Sequence, residues 1–66
     1  MKYHVKEHRK VLRLTQEELA KRSGVSRATI IALESGKPYV TTTKTLLSVA
    51  NALNTTIGRI FYKGGA

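Results

Sequence analysis

The 66-residue sequence has no cysteine and no tryptophan, a single proline and a single phenylalanine. Without cysteine there is no disulfide and no thiolate metal site to brace a small fold. Acidic residues are also scarce: four Asp/Glu stand against twelve Lys/Arg, for a formal charge of +8. Long apolar runs are absent, and none approaches the roughly 20 residues that a membrane span requires. Residues 1–10, MKYHVKEHRK, carry charge throughout instead of an apolar signal core. These absences lead us to expect a cytoplasmic chain with no membrane partner. The length is near the lower limit for a self-folding core and implies one domain, residues 1–66. A catalytic cleft with a lid and a cofactor does not fit into that size. The expectation is therefore a protein that is not an enzyme and takes no cofactor.

What is present in excess is positive charge. On so small a body it generates a field that favours polyanions, either nucleic acid or an anionic membrane face. The plainer alternative is a lysine-rich surface that keeps a small protein soluble.

The pattern of apolar residues and turn signals divides the chain into five short helices and no strand, predicted near 3–13, 16–23, 27–35, 43–53 and 57–61, with a flexible tail at 63–66. In the first, Val5, His8 and Leu12 share a face. The second opens on Thr15 and Glu18, a T-x-x-E capping box, with Leu14 and Leu19 placed for a hydrophobic staple. Gly24 supplies its left-handed stop. Ser26 caps the third, and Gly36 and Pro38 end it. Thr42 caps the fourth, where Leu46, Leu47, Ala50 and Leu53 form an apolar stripe and Asn54 takes a left-handed stop. Thr56 caps the fifth. Two helices joined by a tight glycine turn make a helix-turn-helix.

In the segment TQEELAKRSGVSRATIIALESGK, Thr15 to Lys37, the residues Leu19, Ala20, Val25, Ile30 and Leu33 hold the two helices together. The third helix is left with Arg27, Ala28, Ile31, Ala32 and Ser35 facing outward, and its one acid is Glu34. A slim helix that is basic at its positive end suits the major groove.

The ordered set of these segments, continued by TLLSVANALN and TTIGRIF, resembles the lambda-Cro/C1 repressor-like (XRE) family over nearly the whole chain. The resemblance implies an all-α, compact five-helix lambda-repressor-like domain that binds double-stranded DNA in the cytoplasm, associated with the nucleoid. It implies base contacts from Arg27, Ala28 and Ala32, with Thr29 as a second-rank contact. Arg27 is the candidate for guanine, to which arginine offers a two-pronged donor. Ala28 and Ala32 either pack on thymine methyls or permit close approach, and Ile31 is either a thymine-methyl contact or part of the core. The resemblance also implies phosphate contacts from Gln16, Ser26, Ser35 and Lys37, with Gln16 bracing the recognition helix as well. Tyr39 is a weaker phosphate candidate because it lies between Lys37 and Lys44. Arg9 and Glu34 match a structural ion pair of the family. The chain departs from those members that carry glutamines along the recognition helix, which shifts weight to DNA shape.

Competing readings are weaker. His4 to His8, HVKEH, fits an H-x-x-E-H zinc motif. It lacks a third ligand and a substrate cleft, so His8 is expected to face inward and His4 outward. Tyr39, Phe61 and Tyr62 are too scattered for a base-stacking platform, and Phe61 is expected to close the core. The expected function is transcriptional regulation, as a repressor acting as a homodimer on an inverted-repeat operator, with half-sites about 34 Å apart. The expected dimer interface is Ile57, Ile60, Tyr62 and Val49, whose alternative role is intramolecular packing. The runner-up is an antitoxin-type protein that binds a toxin or another regulator and autoregulates its operon. The stretch YKGGA after Phe61 is short for wrapping a partner, which favours the repressor.

Overall fold

A computed structural model describes residues 2–36 and 40–62, with Lys2, Phe61 and Tyr62 described in their backbone alone. Among these residues the chain forms α1 (Val5–Val11), α2 (Gln16–Ser23), α3 (Arg27–Glu34), α4 (Thr43–Ala52) and α5 (Ile57–Ile60), flanked by two-residue strands β1 (Lys2–Tyr3) and β2 (Phe61–Tyr62). The architecture is all-α, with α2 packed on α3 and α4, α1 on α3, and α5 on α4. The lambda-repressor-like class holds. The small antiparallel pair, with Lys2 opposite Tyr62 and Tyr3 opposite Phe61, is a correction to the strandless expectation. The His4 amide continues it by donating to the Ile60 carbonyl at 2.7 Å. Tyr3 therefore belongs to a strand, and α1 starts two residues later than its apolar spacing suggests. It also ends earlier, because Arg13 turns into the left-handed region at φ 57°.

The caps explain why the helices start and stop where they do. The Thr15 hydroxyl accepts from the Glu18 amide at 3.0 Å, and the Glu18 carboxylate accepts from the Thr15 amide at 2.8 Å. Those bonds hold the Glu18 carboxyl below its ordinary pKa, the backbone bond from Thr15 first. A carboxyl depressed in the folded state stabilises above its unfolded pKa, and that support is lost as pH falls through the lower folded value. Gly24 adopts φ 70° and turns the chain between α2 and α3. The Ser26 hydroxyl accepts from the Thr29 amide, and Thr42 does the same for Thr45. Asn54 takes φ 56° after α4. Replacing Thr15 with alanine should cost about 1 kcal/mol in a urea unfolding series. An unchanged midpoint would show that α2 does not depend on its cap.

The core collects Tyr3, Val5, Leu14, Leu19, Ile30, Leu33, Leu46, Val49, Ala50, Leu53 and Ile60, with Ala20, Val25 and Ile57 packed partly against it. Two expectations change here. Leu47 is 49% exposed and leaves the α4 stripe, because it sits about 100° around the helix from Leu46. Val49 and Ile60 are both fully buried. A core this small draws on every aliphatic side chain that faces it, so these two are lost to any dimer surface.

Candidate nucleic-acid interface

The packing leaves one side of α3 uncovered. Ile30 and Leu33 anchor the helix, at 0% and 2% exposure. Arg27, Ala28, Ile31 and Ser35 are exposed, while Ala32 and Thr29 are half-buried. At 100° per residue, Ala28, Ile31, Ala32 and Ser35 fan across the side away from Ile30, with Arg27 at the N-terminal edge. Arg27 forms no ion pair among the described residues. Its guanidinium stands at the helix end where the macrodipole is positive.

The only acid on α3 is withdrawn from this face. The Arg9 Nε and Nη2 donate to the two Glu34 oxygens at 2.7 and 2.9 Å. Arg9 Nη1 donates to the Leu14 carbonyl at 2.8 Å. The Gln16 Nε2 donates to Glu34 Oε1 at 3.1 Å. The side chains of Arg9 and Glu34 are 12% and 4% exposed. The hydrogen bond that Arg9 donates to Glu34 raises the Arg9 pKa further above its already high ordinary value. The cluster joins α1, the entry to α2 and the C-terminal end of α3, and so sets the angle at which α3 is presented. Neither the Leu14 carbonyl nor the Gln16–Glu34 bond is visible in the sequence. A backbone acceptor has no side-chain signature, and Gln16 and Glu34 lie 18 residues apart.

The other candidates are placed as follows. Gln16 is half-buried at the start of α2, and Ser26 is exposed at the start of α3. The Ser26 and Thr29 hydroxyls lie 2.9 Å apart, and the Ser35 hydroxyl donates to the Ala32 carbonyl at 2.8 Å. Lys37 and Tyr39 lie outside the described residues, as do residues 63–66 and the side chains of Phe61 and Tyr62. Ile57 is half-buried against the core. His4 and His8 are both half-buried, so the inward–outward contrast expected of them is not present. The His4 Nδ1 lies 2.9 Å from the Glu7 carboxylate. Among the described residues no three His, Cys, Asp or Glu side chains converge on a metal position. No helix among them is long and apolar enough to cross a membrane.

Two helices joined across a left-handed glycine, the second offering an acid-free basic face, define a DNA-binding helix-turn-helix. Comparison with known proteins carries this further. A family model described as helix-turn-helix matches residues 5–60. A relative from Archaeoglobus fulgidus is 46% identical over 61 residues, 92% of this chain and 84% of the relative. One from Methanocaldococcus jannaschii is also 46% identical over 61 residues, covering 92% and 91%. A third, from Methanothermobacter thermautotrophicus, is 65% identical over 37 residues, which are 56% of this chain and 54% of that relative. All three bear the name uncharacterized HTH-type transcriptional regulator. No solved structure matches the chain significantly. The chain belongs to the Cro/C1-type (XRE) family of helix-turn-helix transcriptional regulators. Proteins of this family act by binding DNA and are not enzymes.

Proposed function

We propose that the protein is a transcriptional repressor that binds an inverted-repeat operator as a homodimer, in the cytoplasm and on the nucleoid. The observation that carries this reading is the outward face of α3. Arg27 is free of acidic partners among the described residues, and the only acid of the helix is turned back onto Arg9.

In this reading Lys and Arg draw the protein to DNA and release counterions, which gives a steep salt dependence. Gln16, Ser26, Ser35, Lys37 and Tyr39 hold it on phosphates, while Arg27 reads guanine O6 and N7 in the major groove. Each helix reaches a few base pairs, so two copies supply the specificity that one lacks. With Val49 and Ile60 in the core, the second copy must use other surface. Exposed Leu47 on α4 and half-buried Ile57 on α5 supply apolar groups there. Bound across a promoter, the dimer blocks transcription.

The test is selection of binding sites from random duplex DNA, followed by mobility shifts at two salt concentrations. An enriched inverted repeat supports a dimeric, sequence-specific regulator. Salt-sensitive binding with no enriched sequence overturns the operator reading and favours a protein that acts with a partner, as an antitoxin does.

A further inference from the structure

Of the surfaces outside the core, the recognition helix carries a pattern that the family assignment does not explain. Its hydroxyls are engaged by the helix itself. Ser26 caps the Thr29 amide and lies 2.9 Å from the Thr29 hydroxyl, and Ser35 donates to the Ala32 carbonyl at 2.8 Å. Glu34 is held by Arg9 and Gln16. Among the described residues of α3, Arg27 alone offers a charged, two-pronged donor to base edges.

Between Arg27 and Ser35 the outward face is apolar. Ile31 is 44% exposed, about 100° around the helix from the fully buried Ile30. Ala28 lies three residues before Ile31 and four before Ala32, so it neighbours both and the three form a short strip of methyl groups on the helix. The strip has nothing to donate or accept. In the major groove the thymine 5-methyl group is the apolar group that projects to meet such a surface, where cytosine offers only a smaller C5–H and the remaining recognition groups are hydrogen-bond donors or acceptors.

We infer that Ile31, flanked by Ala28 and Ala32, is a specificity-determining residue that reads thymine 5-methyl groups beside the guanine bound by Arg27. The inference rests on the operator reading above. It makes the half-site a guanine with neighbouring thymines, and it makes the protein sensitive to a single methyl group in the DNA.

The experiment uses the selected operator, with each thymine replaced in turn by deoxyuridine. This removes the methyl group and leaves base pairing intact. For the unaltered protein, uracil at one or two positions per half-site should weaken binding about three- to tenfold, the loss expected for one buried methyl group. The Ile31→Ala variant should bind thymine and uracil operators alike at those positions. Ile31 is half exposed, so this variant is expected to fold, and circular dichroism checks that it does. A selected operator that shows no uracil sensitivity overturns the inference and leaves the operator reading standing. Uracil sensitivity that persists in Ile31→Ala overturns the role of Ile31. If no operator is selected, the operator reading falls and this inference with it.

Discussion

Replacing Glu34 with alanine should remove most of the stability of the protein. The substitution leaves the Arg9 guanidinium, 12% exposed in the native structure, facing an empty site, and it deprives Gln16 of its acceptor. Breaking a buried pair by deleting one partner costs about 3–5 kcal/mol, because the remaining charge is desolvated without compensation. Stability of roughly 0.05–0.15 kcal/mol per residue gives a chain of this length only about 3–10 kcal/mol in total. The variant should therefore unfold at far lower urea and be partly unfolded without denaturant. Removing both charges, as in Arg9→Met with Glu34→Leu, should recover much of the loss by replacing the pair with apolar packing. Equal instability of the single and double variants would locate the cost in lost shape instead of a stranded charge. The double variant also carries a consequence for DNA. Gln16 loses its anchor in it, so operator affinity should stay low even where stability returns.

Replacing Arg27 with alanine should abolish most of the preference for guanine at one position of each half-site. A good two-pronged contact is worth about 1–3 kcal/mol of discrimination, roughly five- to 150-fold per half-site. Stability should hardly change, since Arg27 is exposed and makes no ion pair among the described residues. Competition between the selected operator and the same site with that guanine exchanged is the direct measurement. If affinity falls equally for both sites, Arg27 contacts a phosphate. If neither changes, it is a solvated surface residue.

Ile31 and Leu47 show how far a helical pattern carries. Both are large aliphatic residues next in sequence to one that is buried, Ile30 or Leu46, and both are substantially exposed. Periodicity marks which residues share a side, but it does not say how wide a strip the neighbouring helix covers. Covering α4 takes α2 and α5, and covering α3 takes α1 and α2. The same gap appears at Val49 and Ile60. Their chemistry suits an interface or a core equally well, and only the position of the neighbouring elements distinguishes the two.

The sequence by itself determined what depends on near neighbours. The capping box of Thr15 and Glu18, the hydroxyl caps at Ser26 and Thr42, and the left-handed stops at Gly24 and Asn54 are readable because each partner lies within a turn of chain. Together these caps and stops define the helix-turn-helix and place Arg27 at the head of its second helix. The tertiary structure decided everything whose partner is remote. Two-residue strands carry no periodic signal, and β1 exists because packing brings Phe61 and Tyr62, remote in sequence, alongside it. Arg9 finds the Leu14 carbonyl and Glu34 finds Gln16 only after α1, α2 and α3 have packed. The outward side of α3 is acid-free for the same reason: packing, and not sequence distance, turned its one carboxylate back into the protein.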